Sequence, residues 1–173
     1  MKTRKYNTHI LVTMAVLIAA EIVLSRFLSF AVWNMKIGFA FLPVVIAAVM
    51  LDPFKAGIVG GIADLLGAIL FPIGAYFPGF TLTAFLMGLV FGLFLHKKQT
   101  LLRVIGAVAV NQLLLSLLLN TLWISVLYDS VFTPLLVTRL AQCAVLIPVQ
   151  ILVIGLLTKT LGAFMQRKAL TWA

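Results

Sequence analysis

A single carboxylate, Asp64, stands inside an apolar run of the sequence, where a charged side chain is unfavourable to bury. From residue 60 to residue 92 the chain reads GGIADLLGAILFPIGAYFPGFTLTAFLMGLVFG. Two apolar helical segments here flank an insert rich in proline, glycine and aromatic residues. Ionisable residues within membrane spans are rare and usually mark a substrate or ion site. The stretch therefore predicts a ligand-binding site around Asp64 and the aromatic insert.

Polar side chains on other predicted helices fall at a depth similar to that of Asp64. With a rise of about 1.5 Å per helical residue, four more polar residues come to the half of the bilayer opposite the chain termini: Glu21, Arg26, Asn120 and Arg139. Together with Asp64 they predict one cavity that opens on that side of the membrane.

The spacing of the uncharged polar residues supports the same cavity. Gln112, Ser116 and Asn120 recur every four residues, so an α-helix would place them on one stripe. Trp123 roughly continues this stripe, and Asn111 lies beside it. The fifth predicted helix therefore turns a polar face towards the other helices.

The sixth predicted helix contributes a further pair, because Arg139 and Gln142 are three residues apart and share a face. A structural explanation also exists, since amides and hydroxyls in membranes often bond across helices, with a contribution of about 1 kcal/mol or less. Glu21 could likewise pair with Arg26, and Asp64 with Arg139. We expect function from Asp64, Arg26 and Arg139, which are costly to place in apolar surroundings. For Asn111, Gln112, Ser116 and Gln142, structural bonding is the simpler explanation.

The residue types at this predicted cavity suit a flat aromatic ligand that carries carboxylates. Arginine binds a carboxylate in bidentate fashion, an aspartate accepts two hydrogen bonds from an amidine-type ring edge, and aromatic side chains sandwich a ring. The cations on this side are Arg26, Lys36 and Arg139, and the acids are Glu21, Asp64 and Asp129. The flanking aromatic residues are Trp33, Phe71, Tyr76, Phe77, Phe80 and Trp123.

Membrane helices are the elements that must position these residues. Hydrophobic residues make up 64% of the 173-residue chain and charged residues only 10%, whereas soluble domains carry roughly 25% charged residues. Too little polar surface remains to cover a soluble particle, so we predict one all-α integral membrane domain over residues 1–173. The second of six predicted helices is short for a span, which takes about 20 residues. The predicted helices are residues 8–25, 37–51, 53–70, 80–95, 101–128 and 133–164.

Basic residues predict the orientation of this bundle. With both termini on one side, ten of the 13 lysines and arginines fall on that side, and Arg26, Lys36 and Arg139 fall on the other. The positive-inside rule then places both termini in the cytoplasm. Helix 1 begins like a signal peptide, but no clear small-x-small cleavage site follows it and Glu21 interrupts its end. We therefore expect helix 1 to be retained.

Motifs for enzymatic chemistry do not occur in the sequence. It has no G-x-x-x-x-G-K-[ST] phosphate loop for ATP hydrolysis, and neither H-E-x-x-H nor G-x-S-x-G. The one cysteine, Cys143, lies in an apolar run and cannot form an intrachain disulfide. His9 and His96 are isolated near helix ends. We expect no catalytic residue, no metal and no cofactor.

Two segments resemble a known family. One is Asp-Leu-Leu-Gly from Asp64 to Gly67, and the other is Pro-x-Gly-x-Tyr-Phe-Pro-Gly-Phe-Thr from Pro72 to Thr81. With six helices and a small size, the chain resembles the substrate-binding S components of energy-coupling factor (ECF) vitamin transporters, and the resemblance covers essentially its whole length. Within that group, the folate-specific S components are the most similar.

This resemblance implies roles for the residues of the predicted cavity. The pterin ring of folate offers an amino group and a ring N–H to a carboxylate, so Asp64 is the candidate acceptor. The glutamate tail of folate is anionic, so Arg26 and Arg139 are its candidate partners. The full ligand-binding set that we expect is Arg26, Lys36, Asp64, Gly67, Tyr76, Phe77, Asn111, Gln112, Asn120, Trp123, Arg139 and Gln142.

Protein partners are also implied by the resemblance. An S component captures its vitamin at the extracellular side and works with an energising module, which contains a transmembrane coupling protein and two cytoplasmic ATPases. Family members dock through an Ala-x-x-x-Ala pattern on helix 1, which Ala15 and Ala19 match here, with Ala20 beside them. Small residues allow helices to approach closely. Packing within this chain is the alternative role for these alanines.

Three other functions remain open from the sequence. The chain could be an S component for another vitamin, such as thiamin or a flavin. It could be an ion-coupled carrier that works alone, although such carriers commonly contain inverted repeats and we find no convincing repeat. It could also be a structural membrane subunit that binds no small molecule.

Overall fold

Six helices and one β-hairpin form the described part of the chain. The computed structural model describes the backbone of residues 8–32, 35–129 and 132–171, and the side chains of residues 8–29, 38–129 and 133–160. The helices are α1 (Thr8–Arg26), α2 (Phe41–Met50), α3 (Pro53–Leu70), α4 (Pro78–Leu95), α5 (Leu101–Tyr128) and α6 (Phe132–Thr171). Among the described residues, five helices are long and apolar enough to cross a membrane, and α2 is shorter. The predicted six-helix membrane bundle is confirmed.

The β-hairpin corrects one predicted boundary. Helix 2 was expected from residue 37, but α2 begins at Phe41 because the preceding residues are extended. Strands β1 (Ser29–Val32) and β2 (Met35–Gly38) pair antiparallel, with Ser29 opposite Gly38. A Cβ at position 38 would lie 2.6 Å from the Cβ of Ser29, so glycine permits the strands to close there. The hairpin pairs backbone groups that would otherwise lack partners near the membrane.

Proline opens two of the helices. Pro53 and Pro78 stand in the first turns of α3 and α4, where the missing N–H costs no hydrogen bond and the fixed φ suits a helix. Helix α4 consequently begins two residues earlier than predicted. The loop between α3 and α4 is then only seven residues long, from residue 71 to residue 77. Its aromatic residues are thereby held beside the end of α3.

Helices α3 and α4 pack with their backbones almost in contact. A Cβ at Gly60 would lie 2.7 Å from the carbonyl oxygen of Ala84, and one at Gly88 would overlap the carbonyl group of Ala56. Small residues at membrane helix interfaces allow this approach. The close crossing fixes the end of α3, which carries Asp64, against the first turns of α4.

The apolar core and the buried polar residues occupy different parts of the bundle. We call the end where α1 begins and α5 begins the termini end, and the end where α1 and α3 finish and α4 and α6 begin the site end. Fully buried apolar side chains from five helices form the core, towards the termini end: Val45, Ala48, Ala56, Val59, Leu95, Val104, Val108 and Ile154. Buried polar side chains lie mainly nearer the site end: Glu21, Ser25, Thr83, Ser116, Thr121, Arg139 and Gln142.

Candidate ligand-binding site

Asp64 pairs with Arg26, the last residue of α1. The Nη2 atom of Arg26 donates a 3.4 Å hydrogen bond to the carbonyl oxygen of Asp64 and lies 3.9 Å from its Oδ1. The guanidinium is largely buried, whereas a quarter of the Asp64 side chain is exposed. Sequence reasoning left open whether Asp64 would pair with Arg139, and the structure gives Asp64 a different arginine. The 3.9 Å separation leaves Oδ1 able to accept a shorter bond from a ligand.

Gly67 lies directly beneath the Arg26 guanidinium. A Cβ at this position would come within 2.8 Å of Nε and 3.2 Å of Nη2. Gly67 follows Asp64 by three residues, so both lie on the same face of α3. The glycine thus gives Arg26 room to lie along α3 and reach Asp64. The contact of Gly67 in the structure is with Arg26.

Thr81 and Tyr76 complete the surroundings of the Asp64 carboxylate. The Thr81 hydroxyl donates to Oδ2 of Asp64 over 2.9 Å. The hydroxyl of Tyr76, from the loop before α4, lies 3.2 Å from the same Thr81 oxygen. Thr81 belongs to the resemblance motif, yet sequence reasoning did not identify it as a site residue. No pattern could have shown its contact with Asp64, because the two residues are 17 positions apart on different helices.

An aromatic cluster lies where the start of α4 meets α5. The rings of Phe77 and Trp123 are 5.5 Å apart, and Phe77 and Phe80 meet edge to face at 6.2 Å. Trp123 donates its indole N–H to the hydroxyl of Thr83 over 3.0 Å. A Cβ at Gly79 would lie 2.6 Å from Trp123 and 2.7 Å from Phe77, so only glycine fits between these rings. The start of α4 therefore contacts Asp64 through Thr81, and the aromatic cluster through Gly79 and Thr83 on a different face of the helix.

Arg139 is a second buried arginine at the site end of the bundle. Its side chain is 94% buried, since only 6% of its surface is exposed. Its Nε and Nη1 atoms are buried and have no hydrogen-bond partner among the described residues. Buried polar groups in proteins are almost always hydrogen-bonded, and a guanidinium matches a carboxylate with two parallel bonds. Arg139 is therefore well suited to an anionic ligand group.

Helix α5 carries a feature that the sequence did not predict. Its middle part, Val110–Leu119, is a π-helix, in which hydrogen bonds run from residue i to residue i+5. Four-residue spacing no longer stacks side chains there, so the predicted stripe is distorted. Asn111 instead donates to the carbonyl oxygen of Met87 on α4, while the backbone carbonyl of Gln112 accepts from the thiol of Cys143 on α6. The π-helix thus turns adjacent amides towards two different helices.

The remaining predicted residues also lie within the bundle or outside the described part. Gln142 is buried on the inward face of α6. Asn120 is partly exposed, and its buried Oδ1 has no hydrogen-bond partner among the described residues. The side chain of Lys36 and the whole of Trp33 lie outside the described residues. Sequence reasoning missed Gln150, which is 94% buried within α6.

A membrane bundle with charged, amide and aromatic side chains gathered inside one end is a substrate-binding membrane protein by fold and site. Residues 9–170 match the family model described as "ECF transporter, substrate-specific component". The chain belongs to this family. It is accordingly a multi-pass protein of the bacterial cell membrane and a component of a transporter, not an enzyme.

Individual relatives agree with this assignment. The chain is 42% identical over 149 residues to the folate transporter FolT of Clostridium novyi (strain NT), covering 86% of this chain and 87% of that protein. It is 30% identical over 154 residues to FolT of Leuconostoc mesenteroides subsp. mesenteroides, covering 85% and 83%. A solved structure, described as the crystal structure of FolT bound with folic acid, superposes with a TM-score of 0.85 at 37% identity. That match covers 89% of this chain and 95% of the solved chain.

Proposed function

We propose that this protein is the folate-binding S component of an ATP-driven ECF importer. The observation that carries the proposal is the placement of one carboxylate and two buried arginines, Asp64, Arg26 and Arg139, around the site end of a membrane bundle. This chemistry matches a ligand with a hydrogen-bond-donating ring at one end and carboxylates at the other. The relatives bear the name folate transporter, and a similar structure holds folic acid.

The pterin ring is proposed to bind at Asp64. Its 2-amino group and ring N–H form a donor edge, and Oδ1 of Asp64 is the carboxylate oxygen that Thr81 does not bind. Phe77 and Trp123, which contact the start of α4, are proposed to cover the faces of the ligand's aromatic rings. The ring of Tyr76 is half exposed in the adjoining loop and can form the outer edge of this pocket.

Arg139 is proposed to bind the carboxylates of the glutamate tail. Arg26 was the other candidate for the tail, but its guanidinium lies at Asp64, so we propose that it supports Asp64 at the ring end of the ligand. A partly dehydrated guanidinium that bonds a carboxylate through two N–H groups gives one of the stronger polar contacts in proteins. Lys36 is proposed as a third ligand-binding cation. The amides of Asn111, Gln112, Asn120 and Gln142 are proposed to bind polar atoms between the ring and the tail.

Partner binding is proposed for the exposed face of α1. Ala15 and Ala19 are exposed on this face, and Ala20 is half-buried beside it. Only 17% of the α1 span is buried inside the bundle, the smallest fraction among the described spans. A small-residue face that the chain itself leaves uncovered suits close contact with another membrane helix. We assign it to the coupling protein, which acts with two cytoplasmic ATPases, while the site end faces the outside.

Calorimetry on the purified protein tests the ligand. Ligand-free protein in detergent is titrated with folic acid, thiamin and riboflavin, and mass spectrometry identifies any vitamin that co-purifies. We expect one folate bound per chain and no heat from the other two vitamins. Binding of thiamin or riboflavin without folate would refute the assignment. Folate uptake into vesicles that contain this chain and no ATPase would instead favour a carrier that works alone.

A further inference from the structure

The hydroxyl of Thr81 points away from its own helix, unlike other threonine hydroxyls nearby and elsewhere in the bundle. Thr83 bonds the carbonyl oxygen of Gly79, and Thr158 bonds that of Ile154, each four residues earlier in the same helix. Such bonds to an earlier carbonyl of the same helix are common for threonine in helices. Thr81 adopts a different arrangement, and its hydroxyl reaches Asp64 on α3 at 2.9 Å.

We propose that Thr81 is a positioning residue for ligand recognition, which holds the Asp64 carboxylate in the orientation that selects the pterin ring, with Tyr76 fixing the direction of the Thr81 hydroxyl. The inference rests on the proposed role of Asp64 as the acceptor for folate. It adds a residue that the predicted ligand-binding set does not contain.

Hydrogen-bond chemistry sets the direction of this three-residue chain. An ionised carboxylate only accepts, and a threonine hydroxyl has one proton to donate and two lone pairs. If Thr81 donates to Oδ2 of Asp64, then Tyr76, whose oxygen is 3.2 Å from that of Thr81, must donate to Thr81. Each donor polarises the next, so such a chain is stronger than its separate bonds.

The two carboxylate oxygens of Asp64 therefore have different roles. Oδ2 is held by Thr81, whereas Oδ1 has Arg26 at a loose 3.9 Å. A carboxylate fixed through one oxygen cannot rotate freely, so Oδ1 keeps a defined direction towards a ring edge. Binding geometry must be accurate to fractions of an ångström. The Thr81 hydroxyl therefore affects the affinity for the ring edge by orienting the carboxylate, without contacting the ligand itself.

Variants of Thr81 separate this role from simple packing. Thr81→Val keeps the shape and removes the hydroxyl, and Thr81→Ser keeps the hydroxyl and removes the methyl group. Thr158→Val is the control, since it removes a threonine hydroxyl that is bonded within its own helix. Dissociation constants are measured for folic acid and for an analogue that lacks the 2-amino group of the ring. Wild-type protein is titrated first with both compounds.

We expect Thr81→Val to weaken folate binding by about tenfold or more, the scale of a lost hydrogen bond to a charged group. Thr81→Ser and Thr158→Val should stay near the wild-type constant. The ratio between the dissociation constants of the analogue and of folate should shrink in Thr81→Val. The displaced carboxylate would no longer accept a hydrogen bond from the 2-amino group. Tyr76→Phe should shift folate affinity and preference in the same direction by a smaller factor.

Three results would overturn the inference while the wild-type protein binds folate. They are unchanged affinity in Thr81→Val, equal loss in Thr81→Val and Thr81→Ser, and equal weakening of both compounds so that the preference is kept. If Thr81→Val fails to fold, a Tyr76→Phe variant that keeps the wild-type affinity and preference for folate would overturn the inference instead. A wild-type protein that does not bind folate would refute the proposed function itself, which keeps the two failures distinct.

Discussion

The guanidinium of Arg26 lies against the backbone of Gly67, so closely that a Cβ there would come within 2.8 Å of Nε. This contact joins the last residue of α1 to the last turns of α3 and brings Arg26 to Asp64. A glycine on one helix thereby determines where a charge from another helix can lie. A single methyl group added at position 67 would therefore displace the Arg26 side chain, and this displacement can be tested.

Gly67→Ala should weaken folate binding by about 1.5 to 3 kcal/mol, the range for hydrogen bonds to charged groups. The added methyl group displaces the flexible end of Arg26 and so separates it from Asp64. Alanine is also a better helix former than glycine, so lost binding should come without a lower melting temperature. Calorimetry and thermal unfolding measure the two effects. Gly155→Ala is the control, because a Cβ there meets nothing within 4 Å; a Gly67→Ala variant that binds like this control would contradict the contact.

Arg139→Ala should weaken folate binding by about 1.5 to 3 kcal/mol, since it removes charge-assisted hydrogen bonds. Arg139→Lys should recover part of this loss, because lysine keeps the charge but not the planar pair of donors. Titration of each purified variant provides the measurement. Arg103→Ala serves as a control at the termini end, where Arg103 bonds the carbonyl oxygen of Phe94. Wild-type affinity in a folded Arg139→Ala variant would remove Arg139 from the site.

Ala15→Trp and Ala19→Trp should each block folate uptake while leaving binding by the isolated chain unchanged. Both alanines are on the exposed face of α1, so a large side chain would obstruct a partner helix without entering the bundle. Uptake by cells that contain the complete ECF module is compared with calorimetry on the purified variant. Leu152→Trp, at an exposed position of α6, is the control and should transport normally. Loss of binding in the alanine variants would indicate packing within the chain instead.

Gly88→Ala should destabilise the bundle by about 1 to 3 kcal/mol, the usual cost of overfilling a packed interface. The new methyl group would overlap the carbonyl group of Ala56, and backbone atoms cannot move aside as a side-chain end can. Thermal unfolding of ligand-free protein in detergent measures the change. An unchanged melting temperature would show that α3 and α4 can separate at little cost. Gly155→Ala again provides the reference for a glycine in open surroundings.

The main elements could be predicted because they follow from properties of single segments. Each membrane helix needs a long apolar run, and such runs are visible without knowing what they contact. Proline at position 53 marked the start of α3 in the same local way. The π-helix at Val110–Leu119 was not predictable from hydropathy, because a segment of the same hydropathy can form backbone hydrogen bonds between residues i and i+4 or between residues i and i+5. The hairpin before α2 was missed since its pairing depends on backbone contacts between the two strands.

For the site, the sequence by itself determined which side chains are too polar for lipid and roughly how deep they lie. Asp64, Arg26 and Arg139 were identified in this way, because burying a charge in an apolar helix is unfavourable wherever the helix packs. The depth of a residue along its helix does not show which residues of other helices lie beside it. Only the tertiary structure could therefore show that Asp64 contacts Arg26 and Thr81 and that Gly67 lies beneath the guanidinium. It also shows that donors of Arg139 are buried without a partner among the described residues.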